Sequence, residues 1–175
     1  MELIKYLNSN FFTKKELLDI SKISEQDFLK YQKDKIMPKH SYKLRLNLES
    51  DSFFGPHKSE QTVEYYAKGY SSWLAIIQSS GSTKEIYSVF ANRYETAIEN
   101  LIGKGHSSND IKITSGLSNH IKQEWEHFLN GVYGLCTKSG LPEDIAAKSE
   151  ELQETITNLE QKEERWLELS MKLED

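Results

Sequence analysis

With 175 residues, 37% of them hydrophobic and 11% aromatic, the chain holds enough apolar surface for the packed core of one ordinary domain, which excludes global disorder. The net charge of −5 is unevenly spread: residues 1–50 carry ten Lys/Arg against seven Asp/Glu, residues 51–140 eight against nine, and residues 141–175 four against eleven. A mildly basic head and an acidic tail confine any nucleic-acid contact to the head.

The opening Met1-Glu2-Leu3-Ile4-Lys5 lacks the basic end and long apolar stretch of a signal peptide, and Leu3, Ile4 and Leu7 predict a short first helix. Thr13-Lys-Lys-Glu16 reads as a capping box, in which the threonine oxygen takes an orphan amide and the glutamate reaches back. The helix behind it carries Leu17, Leu18 and Ile20 and stops near Lys22. Ser24 starts a second helix containing Phe28, Leu29 and Tyr31, with Asp27 as a weaker capping partner. Pro38 ends this unit, because the residue before a proline is biased away from helix.

At Tyr42 the period changes. Leu44, Leu46 and Leu48 alternate with Lys43, Arg45 and Asn47, which predicts a half-buried strand with one apolar and one basic face. Such a strand needs a partner in the segment that follows. Ser50–Lys58, with Gly55-Pro56, reads as a loop.

Beyond this point the spacing predicts helices. Val63, Tyr66, Tyr70, Trp73, Leu74 and Ile77 fit one, with Gly69 interrupting. Its longest apolar run, Trp73–Ile77, is far too short to span a bilayer. After Ser79-Ser80-Gly81-Ser82, a clean amphipathic helix carries Ile86, Phe90, Tyr94, Ala97, Ile98 and Leu101 and closes at Gly103 or Gly105. Leu117, Ile121, Trp125, Phe128 and Val132 give another. Gly131–Gly140 reads as a compact loop and contains the single cysteine, Cys136, which cannot form an intramolecular disulfide and points to a reducing compartment. Pro142, Glu143 and Asp144 suit the first turn of a last helix reaching about Leu173. Ile145, Leu152, Leu159, Trp166 and Leu173 recur every seven residues, but the companion seam is mostly polar. This predicts a long helix laid along the body or along a partner, with docking within the chain favoured over a homodimer through it.

Two capped helices, a proline and a basic-faced strand outline a winged helix-turn-helix. Residues Thr13–Leu18, Ile23-Ser24, Phe28–Tyr31 and Ile36-Met37-Pro38 resemble the head of MerR-type regulators over about residues 8–46. The resemblance implies that Lys30 and Lys33 face the major groove of duplex DNA. Lys14, Lys15, Lys35, Lys43 and Arg45 would then touch phosphates. Lys30 stands where such readers place an arginine, and Lys35 where they place a glycine. The chain also resembles an uncharacterised bacterial family sometimes labelled as a natural-product biosynthesis protein. That match lies in Tyr6-Leu7 with Phe12-Thr13, Gly69-Tyr70 with Trp73-Leu74, Trp125–Thr137 and Pro142–Ala146.

Three other groups of residues carry chemistry. In the glycine-rich loop Tyr133 and Thr137 offer polar handles and Cys136 a possible nucleophile, together a candidate ligand site; the plainer reading of Cys136 is a buried, inert cysteine beside a tight helix–helix turn. His120, Glu124 and His127 share one side of a helix, as a metal set or as a polar border; the border is the plainer reading. The aromatic residues Tyr65, Tyr66, Tyr70 and Trp73 line a pocket or fill a core, the second being commoner at helical spacing.

The expected fold is mainly α. A winged helix-turn-helix-like head with a small strand element spans residues 1–50, and a helical bundle ending in a long acidic helix spans 51–175. The expected function is that of a cytoplasmic DNA-associated or regulatory protein. The alternative is a non-enzymatic accessory or small-molecule-binding protein whose head serves packing or protein interaction. No catalytic residue, metal site, cofactor or membrane partner is expected.

Overall fold

The computed structural model describes residues 2–80, 82–103, 116–148, 162 and 165. In chain order its elements are α1 (Glu2–Asn10), β1 (Phe11–Thr13), α2 (Lys14–Ser21), α3 (Glu25–Lys33), β2 (Tyr42–Ser50) and β3 (His57–Ala67), followed by α4 (Tyr70–Ser79), α5 (Thr83–Gly103), α6 (Leu117–Leu129) and the single turn α7 (Tyr133–Cys136). Residues 142–148 are helical as well.

The two capped helices form where the sequence signals them. Thr13 Oγ1 accepts from the Glu16 amide at 3.3 Å, and the Glu16 carboxylate accepts from the Thr13 amide at 2.8 Å. These bonds hold the Glu16 carboxyl below its usual range. Ser24 caps α3 by accepting from the Asp27 amide at 3.1 Å. α2 closes at Lys22, whose left-handed backbone (φ 51°) lets its amide reach the carbonyls of Leu18 and Asp19. A second left-handed residue, Lys35 (φ 55°), turns the chain after α3 so that the amides of Ile36 and Met37 meet the Tyr31 carbonyl.

The mainly α expectation, with a winged helix-turn-helix-like head and a small strand element, is overturned by the sheet. Three antiparallel strands run in the order β1-β3-β2, and the fold is mixed α/β. The correction lies in the eleven-residue β3, His57–Ala67, whose first residues read as the end of a loop closing at Lys58 and whose positions from Val63 on fit a helix by spacing. It pairs with β2 in unbroken register from Tyr42↔Tyr65 to Ser50↔His57 and with β1 from Phe11↔Ala67 to Thr13↔Tyr65. The period misleads because the root of β3 is buried on both faces. Tyr65 packs with Leu7 and Phe11 under α1, while Tyr66 meets Phe28 edge-on in the main core. A strand covered on both sides loses its alternation, so its apolar positions fit a helix as well. The β-branched and aromatic residues Thr62, Val63, Tyr65 and Tyr66 are the compositional sign of a strand.

One continuous core joins the early helices to the later ones. It runs from Leu17 and Phe28 through Tyr66, Trp73 and Phe90 to Phe128 and Ile145. Trp73 sits at its centre, with ring centroids 5.0 Å from Phe128 and 6.3 Å from Phe90. Its indole N–H donates to the Ile36 carbonyl at 2.9 Å in a buried position, satisfying a group that would otherwise be stranded away from water. Arg93 on α5 makes a two-pronged ion pair with Glu143, at 2.6 and 2.9 Å, which fixes the start of the 142–148 helix. The seven-residue recurrence after Ile145, and with it the choice between docking along the body, a partner or a homodimer, lies outside the described residues.

Candidate functional site

The seven basic residues implied by the regulator resemblance divide into two groups. Lys15, Lys30, Lys33, Lys35 and Arg45 are exposed and make no ion pair among the described residues. Lys14 and Lys43 instead converge on an acid from β3. Glu64 lies 3.3 Å from the Lys43 ammonium, 3.9 Å from that of Lys14 and 3.6 Å from His40 Nδ1, and it accepts the Tyr66 hydroxyl at 3.2 Å. Lys14 also pairs with Glu25 on α3 at 2.6 Å. Partial burial penalises the Glu64 charge. Lys43, His40, the Tyr66 hydroxyl and Lys14 together outweigh that penalty and hold the carboxyl below its usual range. Two of the expected phosphate contacts are therefore drawn into ion pairs at the base of the sheet, Lys43 with Glu64 and Lys14 chiefly with Glu25. An open hollow of roughly 490 Å³, lined by Thr13, Lys14, Lys15, Gln61, Thr62, Val63 and Glu64, lies beside it.

The loop from Gly131 to Gly140 is a joint. Gly131 has φ 74°, and a Cβ placed there would come within 2.7 Å of the carbonyls of Lys39 and His40. A Cβ at Gly134 would overlap the Ser41 hydroxyl, and one at Gly140 would press on Ala67 and Tyr70 at 3.0 Å. The glycines thus let the loop lie directly against the segment leading into β2, and the Lys39 amide bonds the Leu129 carbonyl at 2.9 Å. Thr137 Oγ1 donates to the Tyr133 carbonyl at 2.8 Å and accepts from the Gly140 amide at 2.9 Å. Tyr133 stacks edge-on against His127 with centroids 6.1 Å apart. Cys136 is exposed, and desolvation by its surroundings pushes its thiol up rather than down. A shallow open hollow of about 190 Å³ touches Thr137, Lys138, Asp144, Ala147 and Lys148, but neither Tyr133 nor Cys136.

The histidines separate. His120 Nε2 lies 3.0 Å from the Tyr94 hydroxyl and its Nδ1 3.8 Å from Glu124, while His127 faces Tyr133 instead. No group of three potential metal ligands comes together among the described residues. Tyr65, Tyr66, Tyr70 and Trp73 are all core.

The most unusual surface is one that the periodicity did not single out. Beyond Leu46 and Gln61 the β2–β3 hairpin is exposed on almost every position of both faces and projects from the body. Leu48 is 52% exposed, and at the tip Phe53 and Phe54 are 98% and 95% exposed, with centroids 5.6 Å apart. The tip is a built turn: the Ser52 hydroxyl accepts from the Phe54 amide at 3.2 Å, and the Gly55 amide reaches the Ser52 carbonyl at 2.9 Å. The signal in the sequence was the Phe53-Phe54 pair inside a loop, where water normally selects polar residues.

Residues 86–172 match a family of unknown function, DUF6058. The description of DUF6058 carries no activity and names neither MerR-type regulators nor biosynthesis. No curated protein and no solved structure gave a significant match to the chain. The DUF6058 stretch begins at Ile86 in α5 and takes in α6, the glycine-rich joint and the Arg93–Glu143 pair. The sheet, the projecting hairpin and the basic residues up to Arg45 all precede it. Among the described residues no helix is long and apolar enough to cross a membrane.

Proposed function

We propose that this chain is a non-catalytic binding protein whose projecting β2–β3 hairpin is presented to a macromolecular partner by a rigid α/β body. The observation that carries this reading is the hairpin tip, where two adjacent phenylalanines stand almost wholly in water on an ordered turn. Leaving that much aromatic surface exposed forgoes about 25 cal/mol per Å² of burial, and such surfaces typically mark interaction sites. The polar groups first considered for chemistry have other work. Lys43 pairs with Glu64 and Lys14 with Glu25, His120 sits between Tyr94 and Glu124, and desolvation pushes the Cys136 thiol up.

A photoreactive phenylalanine analogue at position 53 of the full chain, activated in producing cells, tests this. The expected result is a discrete cross-linked macromolecule that is absent when the analogue replaces the exposed Glu126 on α6. The same adduct pattern at both positions, or none at 53, would refute it.

A second reading, duplex DNA as the partner, is favoured by one observation: Lys15, Lys30, Lys33, Lys35 and Arg45 are exposed and unpaired among the described residues. It requires salt-dependent affinity for duplex DNA that weakens when Lys30 and Lys33 become Glu. Absence of any shift at low salt removes this reading.

A further inference from the structure

The hairpin carries, along one edge, a sequence complementary to itself. In the order β1-β3-β2 the outer strand is β2, and no strand pairs with its free side among the described residues. Its register with β3 is continuous over all nine residues, with no bulge and no proline to blunt the edge. A long, regular edge of this kind is a template for another strand.

Resting on the reading of the hairpin as the binding element, we propose that the free edge of β2 pairs antiparallel with β2 of a second copy, about a twofold axis at Leu46. Only every second residue of an edge strand points its amide and carbonyl outward, so a valid antiparallel ladder sets odd positions against odd and even against even. Leucines therefore meet leucines. An axis at Leu46 uses the whole strand: Leu46 faces Leu46, Leu44 faces Leu48, Tyr42 faces Ser50, Lys43 faces Glu49 and Arg45 faces Asn47. An axis at Arg45 would set two arginines against each other. An axis at Asn47 would face Leu44 with Ser50 and shorten the ladder.

Charge supports the same register. Within one chain Lys43 stands opposite Glu64, and Glu49 stands opposite Lys58 with its carboxylate 2.7 Å from the ammonium. Across the four strands of the pair, the row then reads Glu64, Lys43, Glu49, Lys58, alternating in sign at each step, and the twofold axis repeats it. Opposite charges directly across strands stabilise a sheet, and like charges oppose it. On the other face Leu44, Leu46 and Leu48 of both copies form one apolar strip, in which the half-exposed Leu48 lies beside Leu44 of the second copy. The tips, with Phe53 and Phe54, extend past Tyr42 of the second copy towards its body rather than into water. An isologous contact of this kind closes on itself and gives a dimer, not a fibre.

Sedimentation velocity of the full chain over a wide concentration range should show a monomer–dimer equilibrium. Leu46→Lys, which sets two ammonium groups on the axis, should raise the dimer dissociation constant roughly tenfold or more. Glu49→Lys with Lys58→Glu keeps the exposed pair within each chain but sets two ammonium groups against each other across the axis at positions 43 and 49, and should weaken the dimer. Circular dichroism checks that each variant is folded. Independently of that, Leu46→Cys in a Cys136→Ser background should give a disulfide-linked dimer under mild oxidant, while Arg45→Cys in the same background should not. A chain monomeric at every concentration overturns the proposal. So does a dimer that is unaffected by Leu46→Lys and that Leu46→Cys fails to cross-link. A different macromolecule captured at position 53 by a monomeric chain would sink this inference while leaving the binding reading intact.

Discussion

Lys43 on β2 and Glu64 on β3 stand directly opposite each other in the sheet, with the ammonium 3.3 Å from the carboxylate. Lys14 and His40 approach the same carboxylate from two other segments of the chain. One acid thus gathers three basic groups at the root of the hairpin, and its removal has consequences for both stability and DNA affinity.

Because the Glu64 carboxyl is held below its ordinary value of 4.5, it favours the folded state above that pH, and the contribution is lost as pH falls through the folded value. Glu64→Gln should therefore destabilise the protein at neutral pH, and the difference from the parent should shrink below about pH 4.5. Urea titrations at several pH values measure this. If DNA is the partner, Glu64→Gln also frees Lys43, while Lys14 keeps its pair with Glu25, and should tighten duplex binding at low salt, read by fluorescence anisotropy.

Trp73→Phe keeps an aromatic ring in the core but removes the donor to the buried Ile36 carbonyl. The stranded acceptor and the volume lost should together cost about 2–3 kcal/mol in denaturant unfolding. A change within about 0.5 kcal/mol would mean that the 36–38 segment is not anchored by this bond.

Gly131→Ala adds a Cβ against the Lys39 and His40 carbonyls at a residue with positive φ, and should cost about 2 kcal/mol or more. Gly103→Ala, at the end of α5 with nothing within 4 Å, should be neutral or slightly stabilising. Equal effects of the two changes would argue against the joint described for the glycine-rich loop.

Thr13→Ala removes the capping bonds at the start of α2 and should lower stability by about 1 kcal/mol. Glu16 loses the Thr13 hydroxyl donor but keeps the backbone amide of residue 13, so its titration midpoint should rise only part of the way towards the ordinary value, a shift that carboxyl NMR resonances would follow.

Cys136 is exposed but its thiol is pushed up, first by desolvation. Iodoacetamide should label it more slowly at pH 7.5 than it labels free glutathione, with the two rates converging at higher pH. Faster labelling than glutathione would return this cysteine to consideration as a nucleophile.

Local chemistry determined much of this protein before any fold was known. Thr13 with Glu16 and Ser24 with Asp27 cap α2 and α3 because a side chain three residues away can satisfy an orphan amide without tertiary help. The alternation of Leu44, Leu46 and Leu48 likewise marked β2, and the 3.6-residue stripe from Ile86 to Ile98 marked α5. What tertiary structure decided depended on burial and on distant charges. Residues 57–67 became a strand, and the fold mixed α/β, because both faces of its root are covered and its alternation vanishes. Lys43 lost its freedom to Glu64, an acid twenty-one positions away along the chain that only the sheet brings to it, and Lys14 chiefly to Glu25. The tip phenylalanines became a surface because the hairpin outruns the body that could have buried them, a matter of relative lengths in space that no periodicity records.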